Sequence, residues 1–359
     1  MEQALVIREY EDRDGKGVSL LKKATYGVAW DEQEWHWKFE SGSVRPAKIY
    51  VADREGMIVG LRIFLIHELK VMSELFMCGY GVDIMVHPNF RRYGIAATMA
   101  QEGFIRMEQE GVPILRAFPN ETLFKVYSRK PPTYWKHVCS IPLLAKPIDI
   151  DSILKNRLKN SLLRGLARLP MKAIFKVLSR DRLHKADDLL IKRIYSFDSR
   201  FDSLWKEASQ GYNIGLVRDE KFLNWRFTDK PAEDYFIFSA EKRGNVLGYI
   251  ILKNAELFNL SLGLVVDMLA IRQDDIIDSL IAKAIEHFHD QKVGVVGCLM
   301  LKHSPYFKAL RRAGFIAVPK ALSPKKFYFG VQVKPGVLSD KVVNNPVNWF
   351  LTFGDLDIA

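Results

Sequence analysis

The residues best suited to chemistry lie in Val86-His87-Pro88-Asn89-Phe90-Arg91-Arg92-Tyr93-Gly94-Ile95-Ala96. Two arginines, a glycine and small residues at that spacing suit the binding of an anion such as phosphate. The apolar run before them, Val82 to Val86, reads as a strand, and Ala97 to Glu110 reads as a helix. A strand that turns directly into a helix leaves backbone N–H groups unpaired at the positive end of the helix dipole. Gly94 allows close approach to the backbone, small Ala96 and Ala97 keep the first turn uncrowded, and Arg91 and Arg92 add fixed charge. A second apolar run, Val112 to Phe118, leads to Pro119-Asn120, and Tyr127 follows Asn120 by seven residues. A phenol, with a reference pKa of about 10, is protonated at neutral pH and can act as a general acid. The plainer alternatives are surface arginines at an ordinary turn and a tyrosine packed on a helix face.

The spacing Arg91-x-x-Gly94-x-Ala96, with Val86-x-Pro88 ahead of it, resembles the R/Q-x-x-G-x-G/A signature of the GNAT superfamily of acyl-CoA-dependent N-acyltransferases. The resemblance implies that the turn, here Arg91, Arg92, Tyr93, Gly94, Ile95, Ala96 and Ala97, holds the diphosphate of coenzyme A. It implies that the strand backbone of Ile84, Met85 and Val86 meets the pantetheine and thioester, and that Asn120 contacts the pantetheine or diphosphate. Tyr127 would protonate the departing thiolate. The implied co-substrate is acetyl-CoA or another acyl-CoA, with no metal, and an amine attacks it directly in a ternary complex. Asp83, on the same strand, is the candidate general base, acting directly or through water. A structural role stays open for it, because Asp267 is its counterpart in a second copy described below. Leu115 stands where many relatives carry an acid. The family's usual Tyr-x-x-x-Gly-Phe ending is absent after Tyr127, which leaves the shape of the acceptor side open.

These residues need strands and helices to position them, and the chain carries such a set twice. Trp37-Lys38-Phe39 is echoed by Trp225-Arg226-Phe227, and Val51 to Gly60 aligns on Ser239 to Gly248 without a gap. Both copies read as a hairpin with a charged, glycine-containing turn. Val82-Asp83-Ile84-Met85 is echoed by Val266-Asp267-Met268-Leu269. A repeat of this length indicates duplicated domains rather than a solenoid. In the second copy Asp278 and Leu280 replace Gly94 and Ala96, and Asp274 and Asp275 crowd the turn, so it should repel a diphosphate. The expected fold class is α/β, with α+β mixed sheets in two GNAT-like domains joined by a basic helical linker. The expected boundaries are a GNAT domain with the coenzyme loop at 1–148, the linker at 149–187, a degenerate GNAT-like domain at 188–335 and a docked C-terminal tail at 336–359.

A chain of 359 residues with 48% hydrophobic and 26% charged residues is that of an ordinary globular protein. No apolar run is long enough to span a bilayer, no secretory signal is visible, and three distant cysteines suit a reducing, cytoplasmic compartment. The net charge of +11 favours an anionic partner. Ser152 to Arg180 carries eight basic residues and no acidic one, with Leu154, Leu158, Leu162, Leu166 and Leu169 at helical spacing. Pro170 is expected to end that helix, with room for a second short one that carries Ile174, Phe175 and Leu178. Such a helix either connects the domains through its leucines or lies on an anionic membrane surface, peripheral to its inner face. Nucleic acid is disfavoured, since aromatic stacking platforms are missing. The aromatic C-terminus should dock, with Asp355 and Asp357 facing solvent rather than meeting a cationic acceptor amine. The leading function is N-acyltransfer to a small-molecule or peptide amine. A non-catalytic coenzyme A-binding scaffold and a membrane- or polyanion-binding protein are the alternatives, and the composition does not fix the oligomeric state.

Overall fold

The apolar runs of the sequence become strands, and the charged Gly turns between them become tight hairpins. The computed structural model describes residues 5–128, 135–157, 168–170, 172–173, 182–257 and 260–357. The strands are β1 (Leu5–Glu9), β2 (Arg45–Arg54), β3 (Met57–Val71), β4 (Glu74–Val86), β5 (Ile114–Ala117), β6 (Lys136–Ser140), β7 (Leu143–Pro147), β8 (Leu190–Ile194), β9 (Ile214–Leu216), β10 (Tyr235–Lys242), β11 (Asn245–Leu257), β12 (Leu260–Ala270), β13 (Val295–Leu299), β14 (Ile316–Ala317) and β15 (Tyr328–Val333). The first-half helices are α1 (Gly15–Tyr26), α2 (Glu32–Trp35), α3 (Ile95–Gln109) and α4 (Glu121–Tyr127). At the repeated hairpins, Glu55-Gly56 and Arg243-Gly244 have φ of 52° and 85°, and of 51° and 83°. Positive φ at both turn residues gives the twist that a two-residue hairpin needs.

The chain forms two units. Unit 1 comprises Met1–Ser140, Asp229–Pro231 and Phe327–Asn348, and unit 2 comprises Ile141–Thr228, Ala232–Lys326 and Trp349–Ala359. The sheet of unit 1 runs β1-β2-β3-β4-β5-β15-β6, with β4 and β5 parallel. The sheet of unit 2 runs β14-β7-β13-β12-β11-β10-β8, with β12 and β13 parallel. Read from β8, its order and pairing repeat those of unit 1, and both sheets are mixed.

The units exchange a strand, so their boundaries differ from cuts at 148 and 335. β7 pairs with β13 and β14 in unit 2, while β15 lies between β5 and β6 in unit 1. Pro142 stands between β6 and β7 and has no N–H with which to continue a ladder, and the chain changes sheets there.

In unit 1, β3 is buried at every position from Ile58 to His67, as befits a strand covered on both faces. On one face α3 sets Phe104 and Met107 against Tyr50, Phe64 and Ile66, and Ile95 and Met99 against Ala52 and Val59. The approach is close: a Cβ on Gly103 would meet the Phe64 ring at 2.8 Å. This packing fixes the N-terminus of α3 beside the end of β4.

Of the basic segment, the helix Ile150–Arg157 is described, with Leu154 buried. Leu158, Leu162 and Leu166 lie outside the described residues. Asp151 takes Arg168 at 2.7 Å and Lys172 at 2.9 Å. Residues 168–170 and 172–173 are helical, while 171 and 174–181 lie outside the described residues. The C-terminal residues Trp349, Phe350, Leu351, Phe353 and Leu356 are buried in unit 2. Asp355 is also buried, contrary to the expectation of a solvent-facing acid, because Arg218 pairs with it at 2.8 Å. Asp357 is half-buried. Among the described residues no helix is long and apolar enough to cross a membrane.

Ending the chain after Lys185 removes β15 from between β5 and β6. The expected outcome is that residues 1–185 lose the cooperative thermal transition of unit 1, followed by circular dichroism. A sharp transition from that shortened chain would show that β15 is dispensable.

Candidate active site

The site begins where β4 and β5 part. β4 pairs with β3 along its whole length from Glu74 to Val86. It pairs with β5 only through Cys78, Gly79 and Tyr80, opposite Ile114, Leu115 and Arg116. Beyond Tyr80 no strand among the described residues pairs with the other edge of β4, and Ile84, Met85 and Val86 lie on that open stretch. An open strand edge can pair with an extended ligand through its backbone. Within the stretch Ile63 opposes Val82 and Arg62 opposes Ile84, so Asp83 is the extra residue of a β-bulge, at φ 39°. Bulges bend a strand and re-aim its side chains. Cys78, also on β4, is no nucleophile: burial pushes its thiol up to about 12, only partly offset by Arg116.

The anion turn follows directly. Pro88–Phe90 make one 3-10 turn, Arg92 has φ 72°, and Gly94 caps α3 at φ 80°. The N–H groups of Ala97 and Thr98 donate to the Gly94 carbonyl at 2.9 and 3.0 Å. Those of Arg92, Tyr93, Gly94, Ile95 and Ala96 are not taken up by hydrogen bonds among the described residues. They form the array of donors at a helix start that suits phosphate. Arg91 Nε donates to the Val86 carbonyl at 3.2 Å, which ties the turn to the end of β4. Residues Arg91 to Gly94 are exposed, Ile95 is buried under the turn, and Ala97 is exposed.

The remaining sequence candidates take more structural roles. Asn120 caps α4, its Oδ1 accepting the Leu123 N–H at 2.9 Å, so only its amide NH2 is left for a ligand. Tyr127 ends α4 and is buried with Ala117 of β5 and Trp135, packed by Ala100 of α3. Its partner Ala117 comes just past the last β4–β5 pair, Tyr80 with Arg116. Asp83 Oδ2 accepts from Lys38 Nζ at 2.9 Å. Lys38 is buried in a π-helical stretch, His36–Ser41, that continues from α2. Sequence reasoning missed Lys38 as a site residue, although the echo of Lys38 by Arg226 marked a basic residue in both copies. It also missed Arg62, whose only signal was a charge inside a long apolar run.

Unit 2 closes the same features from within. Its bulge lies one residue earlier: Ile251 opposes Asp267 and Leu252 opposes Val265. Asp267 is fully buried and accepts from Arg218 at 3.0 Å, Tyr249 at 2.8 Å and Thr352 at 2.6 Å, a structural set. At the position matching Val86, the Ala270 N–H donates to the Tyr306 hydroxyl at 2.8 Å, and that hydroxyl donates to the Ala270 carbonyl at 3.2 Å. The strand edge is thus occupied by a side chain of the same unit. At the helix Asp274–Asp290, Asp278 accepts from Arg312 at 2.7 Å and from the His184 N–H at 3.1 Å, and Ser279 Oγ accepts from the Ala186 N–H at 3.0 Å. The turn that holds free donors in unit 1 is here held by residues 184–186. Asp278 does not face out as a repelling charge, since Arg312 neutralises it.

Residues 6–130 match the family model of the acetyltransferase (GNAT) domain. The matched span runs from β1 through α4 and contains the open β4 edge, the turn and Tyr127. No curated protein matches the sequence. Among solved structures the chain is similar to a GCN5-related N-acetyltransferase from Anabaena variabilis, at 10% identity and TM-score 0.62, over 92% of this chain and 73% of that one. It is similar to a probable N-acyltransferase from Enterococcus faecalis, at 10% identity and TM-score 0.64, over 92% and 73%. A GCN5-related N-acetyltransferase from Kribbella flavida is similar at 12% identity and TM-score 0.60, over 92% and 71%. At such identities the likeness is one of fold, and it extends over both units.

Gly94→Asp tests the turn. A Cβ at this position would meet nothing within 4 Å, and aspartate tolerates positive φ better than most residues, so the protein should fold. The carboxylate would face the free N–H groups and repel a diphosphate. Calorimetry is expected to show loss of coenzyme A binding with a near-normal melting temperature. Unchanged affinity would remove the turn from the site.

Proposed function

We propose that the chain transfers an acyl group from a coenzyme A thioester to a primary amine, at one site in unit 1. The observation that carries this reading is the open edge of β4 running straight into the unpaired N–H groups of Arg92 to Ala96. The bound thioester supplies an activated carbonyl carbon. The amine nitrogen forms a bond to that carbon, the carbon–sulfur bond breaks, and the sulfur gains a proton to match the one the amine loses. Arg91, Arg92 and the N–H groups from Arg92 to Ala96 bind the diphosphate, with the Asn120 amide as a further donor. The backbone of Ile84, Met85 and Val86 holds the extended arm and polarises the carbonyl. Holding both reactants in place can contribute about 7–11 kcal/mol to lowering the barrier.

Tyr127 gives its proton to the leaving sulfur. Asp83, aimed by the bulge and paired with Lys38, receives the amine side and relays its proton through water. The acceptor is a small-molecule or peptide amine. The free cysteines Cys78, Cys139 and Cys298 suit a cytoplasmic setting. An anionic membrane surface stays the candidate partner of the basic segment, with Arg168 and Lys172 already engaged by Asp151. A duplicated ancestor accounts for the shared sheet order, with unit 2 retired as a cofactor site by Tyr306 and residues 184–186. One observation favours a second reading, a non-catalytic coenzyme A-binding scaffold: the charge of Asp83 is already met by Lys38, which makes it a poorer free base.

Titration calorimetry is expected to give one coenzyme A per chain; two would mean that unit 2 also binds. Release of free thiol across a panel of amines separates transferase from scaffold, since a scaffold binds without turnover.

Tyr127→Phe is expected to lower kcat on the order of 10²-fold with little change in coenzyme A affinity, because the proton is needed only as the sulfur leaves. A wild-type rate would leave Tyr127 as a packing residue.

A further inference from the structure

Arg62 carries a buried charge that no carboxylate among the described residues meets. It lies on β3 opposite Ile84 and is only 4% exposed. Its Nη1 donates to the Val82 carbonyl at a long 3.4 Å, its guanidinium lies 4.5 Å from the centre of the Phe64 ring, and its Nε has no acceptor. Two other well-buried ionic groups meet an opposite charge: Arg218 has Asp267 and Asp355, and Asp14 has Arg8. An uncompensated buried guanidinium is costly, which points to a ligand group that compensates it.

Its position indicates which group. The guanidinium stands over Gly81, where a Cβ would collide with its Nη2, so the glycine makes room for it. Gly81 is the first residue of β4 beyond the last pair with β5, and it marks the closed end of the opening. From Ile84, where the thioester end of the arm begins, to Gly81 or Val82 is two to three residues, or roughly 7–10 Å along the strand. Allowing about 2.8 Å for a charge-assisted hydrogen bond leaves roughly 4–7 Å, the reach of an acyl chain of about four or five carbons.

We infer that the acyl group accepted by this site ends in a carboxylate bound by Arg62, which makes the co-substrate a short dicarboxylic acyl thioester of coenzyme A, of the succinyl type. The inference rests on the acyltransferase reading and names its acyl class. In the transfer the amine nitrogen bonds to the thioester carbonyl carbon, the carbon–sulfur bond breaks, the sulfur takes up a proton, and the distal carboxylate passes unchanged into the amide product. The acceptor thereby exchanges a positive amine for a negative carboxylate.

The test measures binding of coenzyme A, acetyl-CoA, butyryl-CoA and succinyl-CoA to the full chain by calorimetry. Butyryl matches succinyl in carbon count and lacks only the carboxylate. Succinyl-CoA is expected to bind at least about tenfold more tightly than butyryl-CoA, and Arg62→Met, close in size and uncharged, to bring the two to within about threefold. Equal affinities in the wild type, or a preference that survives Arg62→Met in a folded variant, would overturn the inference while leaving the acyltransferase reading intact. If Arg62→Met does not fold, the wild-type comparison decides alone. Failure of coenzyme A itself to bind would overturn both.

Discussion

β4 keeps its hydrogen bonds to β3 for its full length and gives up those to β5 after Tyr80. Backbone N–H and C=O groups are obligatory hydrogen-bonding groups, so a central strand with one open edge must find partners there. The rest of unit 1 is arranged around that opening. The bulge at Asp83 re-aims the strand as it opens, α3 packs so that its first turn stands at the strand's end, and Tyr127 packs on Ala117 of β5. The same constraint explains Gly81 and Gly94: one yields space to a guanidinium, and the other takes a left-handed φ that frees the donors of the helix start.

Unit 2 meets the same constraint in the opposite way. Its sheet has the same order, but Tyr306 satisfies the open edge at Ala270, and residues 184–186 engage the start of the helix Asp274–Asp290. A site of this kind can be lost without losing the fold, because the sheet order is held by β10, β11, β12 and β13, while the site depends on one strand edge and one turn. In unit 2 the Ala270 N–H and carbonyl are taken up by Tyr306, and the Asp278 and Ser279 side chains are taken up by the His184 and Ala186 N–H groups.

How much of this was legible in the sequence follows from how local each interaction is. The turn from Arg91 to Ala96 was readable because its conformation depends on consecutive residues, and the hairpins at Glu55-Gly56 and Arg243-Gly244 for the same reason. The strand exchange was not readable: β7 and β15 have the same pattern whichever sheet they join, and only the three-dimensional register decides. The pair Lys38–Asp83 spans 45 residues and depends on a bulge whose place shifts by one residue between the copies. The closure by Tyr306 was hidden likewise, since an aromatic residue early in a helix is ordinarily core. Asp355 read as a surface acid because its partner, Arg218, lies 137 residues away.

That last pair shows what the chain does with buried charge when no ligand is needed. Burial disfavours the charge of Arg218, yet Asp267 and Asp355 outweigh it and raise its pKa. Thr352 and Tyr249 take up the remaining acceptor positions of Asp267, and Phe350 covers the guanidinium, its centroid 4.6 Å away. Replacing one partner of such a set leaves the other charge stranded, which is far more costly than losing a surface pair. The C-terminal segment is therefore held by an electrostatic necessity of the unit 2 core as well as by its aromatic residues. Asp267 completes its shell there with residues of unit 2 alone, whereas its counterpart Asp83 stays part-exposed and holds one ammonium, that of Lys38. The same aspartate position thus serves as a closed anchor in one unit and as an accessible group beside an open strand in the other.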